Sequence, residues 1–320
     1  MPSGGEERNG VPLTNLDQPL FDGADATKRD LVDYLDAVRD RILPVLEDRP
    51  LSVIRVHRGQ EAFMQKNVPK STPSWVPTVT LWAESSHRDV TYALCNDRRT
   101  LLWFANQRAV EYHPALARID QLDRMTHLVL DLDPPDPESF SMAVRAAHVV
   151  REVLAAVGLA GAVKTSGAKG VHVFVPIDTN ARPEDAAAAT RAIAARAEHL
   201  DPETATTAFL KEDRGRRVLL DSTRAGGATV VAAYSPRVRP GAPVSFPVGW
   251  EELDDVVAAD FTLHTAPRLL GDADPWAAAM PAPQALPSEL VEEGRGIPAA
   301  RVQAMHEGKR RARARRTREV

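Results

Sequence analysis

The 320-residue sequence predicts an α+β fold, with a largely antiparallel central sheet flanked by helices. Two observations carry the prediction. Short apolar, β-branched runs occur in clusters, at 51–57, 78–82, 90–94, 126–131, 162–166, 171–176 and 218–221, several joined by turn-forming residues. Between the clusters stand segments whose apolar residues recur at helical spacing, and runs of strands with intervening helices of this kind define the α+β class.

Taken in order, residues 1–12 are polar and expected to be disordered, followed by a short arm over Leu13–Asp17 and Pro19–Phe21. Thr27 reads as a helix N-cap with Asp30 three residues on, and Leu31, Tyr34, Leu35, Val38 and Ile42 form one apolar face, with Lys28 and Arg29 exposed in the first turn. Leu51–His57 reads as a strand. Phe63–Lys70 is a loop carrying aromatic and basic side chains, and Thr78–Trp82 and Val90–Leu94 are two further strands. A helix is expected over Leu101–Gln107, then the segment Val110–Pro114, the strand Thr126–Asp131 and a long helix over Pro137–Leu159 stopped at Gly158. Ala162–Ser166 and Val171–Pro176 read as strands around Gly167-Ala168-Lys169-Gly170, Pro183–Leu200 as an Ala-rich helix, and Val218–Asp221 with Ala228–Ala233 as paired strands.

Composition narrows the function. One cysteine, Cys95, excludes an internal disulfide framework and a cysteine-based zinc site, and fits a reducing cytoplasm. No apolar run approaches the roughly 20 residues of a membrane span, and no secretory signal opens the chain, so no membrane partner is expected. The net charge of −4 hides an uneven distribution: residues 309–318 hold seven of the 40 basic residues, leaving 33 basic against 43 acidic residues over 1–308. A polyanion would therefore be held by local basic patches and this tail.

Three motifs carry chemistry. In Leu128-Val129-Leu130-Asp131-Leu132-Asp133-Pro134-Pro135 an apolar strand ends on two carboxylates one residue apart. The two-residue period of a strand puts Asp131 and Asp133 on one face, about 6 to 7 Å apart. Carboxylates so placed repel unless a cation joins them, and hard divalent ions such as Mg²⁺ or Mn²⁺ suit them. Ser166-Gly167-Ala168-Lys169-Gly170-Val171-His172 is a tight glycine turn, whose backbone N–H groups could approach phosphate oxygens closely, with Ser166 and Lys169 as further donors and His172 near the turn. Val218-Leu219-Leu220-Asp221 is a second apolar strand ending on a carboxylate, preceded by Arg214, Arg216 and Arg217 and followed by Arg224. Three carboxylates at strand ends, a phosphate-cradling turn and flanking arginines suit two-metal nucleotidyl transfer.

With these residues in this order, the sequence resembles the polymerase domain of bacterial ligase D and its stand-alone relatives in the archaeo-eukaryotic primase superfamily. The resemblance runs from about Leu13 to Leu253. It rests on Leu13-Thr14-Asn15-Leu16-Asp17, Thr27-Lys28-Arg29-Asp30-Leu31, Phe63-Met64-Gln65-Lys66, Ala105-Asn106-Gln107, Glu111-Tyr112-His113-Pro114, Asp131-Leu132-Asp133-Pro134, the Thr165–His172 turn and Ala233-Tyr234-Ser235-Pro236-Arg237. It implies a primase-type core with an RRM-like sheet over residues 13–290, followed by a C-terminal helix and flexible basic tail over 291–320. Asp131, Asp133 and Asp221 match the family's catalytic, metal-binding carboxylates, for Mn²⁺ or Mg²⁺. His113, Ser166, Lys169 and His172 match its nucleotide-binding set, joined by Arg55 and Arg224. Phe63 and Lys66 match a template-facing loop, and Lys28 and Arg237 groups on the DNA side.

The sequence departs from the family at Gln18, where members recognising a downstream 5′-phosphate commonly carry lysine, at Met64, where a second aromatic is usual, and at Ile54, where a lysine often precedes the arginine. The implied activity is template-dependent addition of nucleotides, with ribonucleotides preferred, to primer 3′ ends in end joining or gap filling. The implied partners are gapped, nicked or broken DNA, NTP or dNTP, a Ku-like end-binding protein and a separate ligase. A monomeric, nucleoid-associated, stand-alone polymerase is expected, since nothing beyond Leu253 is long enough for a ligase or nuclease segment. Two other readings are a non-catalytic DNA-end scaffold, against which all three carboxylates stand, and a haloacid-dehalogenase-type phosphatase, whose Asp-x-Asp would lie near the start of a doubly wound domain and not mid-chain before two prolines.

Overall fold

A capping box starts the first long helix. The Thr27 side chain accepts from the Asp30 backbone N–H while Asp30 accepts from that of Thr27, satisfying donors that a helix N-terminus leaves unpaired. The computed structural model describes residues 6–57, 59–83, 87–178, 180–226 and 229–299. The basic run at 309–318 lies outside them.

In chain order the elements begin with the short strands β1 (Glu7–Arg8) and β2 (Val11–Pro12), then helices α1 (Lys28–Ala37) and α2 (Arg39–Leu46). Strands β3 (Leu51–Arg55), β4 (Phe63–Gln65), β5 (Thr78–Ala83) and β6 (Arg88–Ala93), helix α3 (Arg98–Asn106) and strand β7 (Ala109–Pro114) follow. Next come β8 (His127–Asp133), α4 (Phe140–Ala156), β9 (Ala162–Thr165), β10 (Val171–Pro176), α5 (Pro183–Leu200), β11 (Ala205–Thr206), β12 (Val218–Asp221) and β13 (Pro247–Val248). The chain closes with α6 (Ala266–Leu270), α7 (Pro275–Ala279) and α8 (Ser288–Gly296).

Two compact units share these elements: the described parts of residues 1–123, 163–168 and 229–280 form one, and those of 124–162, 169–228 and 281–320 the other. In the first unit β3 pairs antiparallel with β4, β6 and β7, and β5 pairs antiparallel with β6. All six residues of β7 are buried, and Tyr112 is fully so. In the second unit β8 lies between β10 and β12, antiparallel to both, with β11 parallel to β12. Leu128, Leu130 and Leu132 of β8 are fully buried, and α5 packs against β8 and α4. The α+β, largely antiparallel expectation holds.

Several local expectations change. Residues 7–12 are not disordered: β1 and β2 pair as a hairpin, and Arg8 bridges Glu6 and Asp33. The single helix expected from Thr27 to Ile42 breaks at Val38, which caps α1 and precedes α2. Strand β8 runs through Asp133 and does not stop at Asp131, because both carboxylate residues keep their ladder partners and only Pro134 lacks the N–H to continue. Of the strand expected over Ala228–Ala233, residue 228 lies outside the described residues, and 229–233 form no strand; the two edges of β12 are taken by β8 and β11. Lys28 is buried, not exposed.

Candidate active site

In the second unit the ladder aligns His172 of β10, Asp131 of β8 and Asp221 of β12 in one transverse row. Directly opposed residues share a sheet face, and Asp133, two positions along β8, joins them. Each carboxylate stands beside a cation. Asp131 lies 3.3 Å from His172 Nε2 and 3.2 Å from Arg224 Nη2, and Asp133 lies 3.1 Å from Lys169 Nζ and 3.7 Å from Arg214 Nη1. Asp221 is 3.5 Å from Arg224 Nε and accepts from the Thr223 N–H and hydroxyl at 2.8 and 2.6 Å. Burial alone would raise the Asp131 carboxyl, but His172 and Arg224 more than offset it and hold it far below the usual carboxylate range.

Glycine shapes the approach to this row. A Cβ at Gly170 would stand 2.2 Å from the Leu132 carbonyl oxygen, so only glycine lets the turn lie against β8 between the two aspartates. Lys169 Nζ also donates to the Pro134 carbonyl, which holds its ammonium over the end of the strand.

The oxygen donor set of Asp131, Asp133 and Asp221 on one face suits a hard divalent cation. Among the described residues, no three His, Cys, Asp or Glu side chains stand ready-made as a cation cage. The carboxylates are salt-bridged instead, so Lys169, Arg214 and Arg224 must turn away for an ion to bind between them.

The first unit holds a second cluster. Glu111 and His113 of β7 point the same way, with Glu111 Oε2 2.9 Å from His113 Nε2 and 3.0 Å from Arg237 Nε. The other carboxylate oxygen accepts from the Val238 N–H at 2.8 Å. Arg237 in turn donates through Nη1 to the Ser166 carbonyl. At Gly167, where φ is +65°, a Cβ would meet Arg237 Cγ at 2.7 Å and the Ser245 backbone N at 2.8 Å. Ser166 Oγ accepts from the Ala168 N–H at 3.2 Å, and the fully buried Lys164 donates to Ser245 Oγ. The structure thus brings His113, Ser166 and Arg237 together. Glu111, which joins them, stands in the sequence only as part of the Glu111–Pro114 motif, with no role of its own; its signal there is a carboxylate and a histidine two residues apart in an apolar strand, hence on one face.

Arg55 belongs to a different group. It donates to Gln107 O at 2.9 Å and Gln65 Oε1 at 2.6 Å, and its guanidinium carbon lies 5.9 Å from the Phe63 ring centroid. Phe63 stacks on His57 at 5.3 Å and is 38% exposed, with Met64 45% exposed and Lys66 exposed beyond it. Lys28, expected on a DNA-facing surface, is only 3% exposed; its ammonium donates to Thr14 O at 2.5 Å and Asn106 Oδ1 at 2.6 Å. Burial and the nearby Arg108 charge push its pKa down to about 8. Gln18 lines a cleft of about 700 Å³ with Phe21, His57 and Arg108.

Three carboxylates on one sheet face, with lysine and arginine side chains beside them, are the kind of site that nucleotidyl-transfer enzymes use. Residues 27–276 match the family model described as LigD, primase-polymerase domain. The chain is 34% identical over 260 residues to the bifunctional non-homologous end joining protein LigD of Bacillus subtilis, and 33% identical over 269 residues to the multifunctional non-homologous end joining DNA repair protein LigD of Mycobacterium tuberculosis. Each alignment covers 80% of this chain but only 41% and 34% of those longer proteins. The solved polymerase domain of Mycobacterium tuberculosis ligase D, in complex with DNA, superposes with a TM-score of 0.77 at 30% identity, covering 86% of this chain and all of that one. The chain belongs to the LigD primase-polymerase domain family, a family of DNA-directed nucleotidyltransferases.

Proposed function

We propose that the protein is a template-dependent polymerase that adds nucleotides, ribonucleotides preferentially, to primer 3′ ends at gaps and broken DNA ends. The observation that carries this reading is the single-faced row of Asp131, Asp133 and Asp221 with Lys169, Arg214 and Arg224 at its edge. Mn²⁺ or Mg²⁺ held by the three carboxylates would lower the pKa of the primer hydroxyl and neutralise the leaving pyrophosphate.

The chain's own residues supply the rest. Lys169 and Arg224, now on the carboxylates, are the cations available to triphosphate oxygens, and the Ser166–Gly170 turn adds backbone donors. His113 supplies a ring nitrogen on the nucleotide side, and Arg237 a guanidinium on the DNA side. Phe63, backed by His57 and Arg55, offers a face on which a template base can stack, worth about 1 to 3 kcal/mol. Lys66 adds a charge next to it. The end-joining setting belongs to the same reading, since the similar proteins are named for non-homologous end joining, and the resemblance adds a Ku-like partner and a separate ligase.

The experiment is extension of a labelled primer on a gapped duplex, with and without a downstream 5′-phosphate, supplying Mn²⁺ and either ribo- or deoxyribonucleotides. Template-directed incorporation, faster with ribonucleotides and indifferent to the phosphate because Gln18 supplies no charge, is the expected result. DNA binding with no incorporation under any pairing would return the protein to the scaffold reading.

A further inference from the structure

The carboxylate that ties the first unit's cluster together has a role of its own. Glu111 is 3% exposed: one carboxylate oxygen accepts from the Val238 N–H at 2.8 Å, and the other faces His113 Nε2 at 2.9 Å and forms an ion pair with the Arg237 guanidinium at 3.0 Å. An ionised carboxylate only accepts, so the His113 nitrogen facing it must carry the proton. The remaining nitrogen, Nδ1, is then an acceptor. A backbone N–H cannot change its role, which fixes one carboxylate oxygen on the 235–238 segment and leaves the other for His113 and Arg237. This segment and the residues just before it are stitched to β7 by Tyr112 N–H to Ser235 Oγ at 2.9 Å and Ala232 N–H to Tyr112 O at 2.9 Å.

We propose that Glu111 is a positioning residue: it holds His113 as the Nε2–H tautomer, so that Nδ1 is left as the acceptor on the nucleotide side, and it anchors Arg237 over the Gly167 turn. Its kinetic consequence rests on the nucleotidyltransferase reading above; its structural claim does not. The charged groups facing His113 are Glu111, Arg237 and Lys164. Two cations and one anion around a buried ring favour its neutral form, in which the choice of tautomer matters.

The Glu111→Gln variant separates the possibilities. Its carboxamide oxygen must turn to the Val238 N–H, which leaves the NH₂ facing His113, and a ring nitrogen facing a donor must give up its proton. The test is ¹⁵N NMR of histidine-labelled full-length protein at neutral pH, with the His113 signals assigned by His113→Gln, alongside steady-state ribonucleotide incorporation. The expected result is the Nε2–H tautomer in the native protein, a switch to Nδ1–H in Glu111→Gln, and a fall in kcat/KM for nucleotide of roughly 10- to 100-fold, the size usual for residues that orient functional ones.

A native Nδ1–H tautomer, an unswitched Glu111→Gln, or a switch without loss of kcat/KM would each overturn the proposal. The tautomer of the native protein decides even where the variant fails to fold. Absence of incorporation by the native protein would defeat the polymerase reading and leave the tautomer measurement to judge Glu111.

Discussion

The Oδ1 of Asp131 lies 3.3 Å from Nε2 of His172, the residue directly across the strand pair from it. Across its other edge Asp131 faces Asp221, so β8 carries one carboxylate flanked by a ring and a second acid in the same row. With His172 and Arg224 holding it ionised, Asp131 is an anion at any working pH and needs no deprotonation before a cation can bind.

Stability in the first unit depends on pH through Glu111 and His113. Burial opposes ionisation of Glu111, but His113, Arg237 and the Val238 N–H outweigh it and keep its carboxyl below its usual 4.5. Burial also holds His113 below its usual 6.5, against the raising effect of Glu111. In both cases the unfolded chain binds more protons, so stability is full above about pH 6.5 and falls on acidification, first through the histidine window and then below about pH 4.5. Thermal melts from pH 8 to pH 4 check this, and His113→Gln should lose only the upper part of the decline.

The two turn glycines are predicted to be intolerant for different reasons. Gly167→Ala puts a side chain at φ +65° against Arg237 and the Ser245 backbone, at a cost of about 1–2 kcal/mol for the backbone alone. Gly170→Ala drives a Cβ into the Leu132 carbonyl and must push the turn off β8. Both should lower the melting temperature, and Gly170→Ala should also impair nucleotide binding, read by titration with a fluorescent nucleotide.

Phe63 is exposed, so Phe63→Ala should leave the stability within about 0.5 kcal/mol of native and weaken template binding by about 1–3 kcal/mol. Fluorescence anisotropy on a primer–template with an unpaired template base measures the loss.

Lys28 should behave oppositely. Its ammonium is spent inside the fold on Thr14 O and Asn106 Oδ1, so Lys28→Ala is expected to cost about 2–3 kcal/mol of stability. The slope of log affinity for DNA against log salt concentration should not change, because no phosphate contact is lost. A slope lowered by about one unit would restore Lys28 to the DNA side.

These residues also show what the sequence made legible. The Thr27–Asp30 capping box could be read because its partners are three residues apart, and the shared face of Asp131 and Asp133 because a strand's period is two. The burial of Lys28 could not be read, since its partner Asn106 is 78 residues away and a lysine in a helix's first turn looks solvated. The strand expected over 228–233 failed for the same kind of reason: β12 takes β8 and β11 as neighbours, a choice made by tertiary packing and not by local propensity. The neighbours of Arg55 could not be read either, because its partners Gln65 and Gln107 come from two other stretches of chain.

The central claim is that Asp131, Asp133 and Asp221 act together in nucleotidyl transfer. Asp131→Asn and Asp133→Asn, assayed beside the native protein for incorporation into a gapped duplex with Mn²⁺ and for DNA binding by anisotropy, test it most directly. The account predicts that incorporation falls by at least about a thousandfold, about 4 kcal/mol of transition-state stabilisation, with DNA affinity within about threefold of native. Incorporation persisting near the native rate in either variant would contradict it.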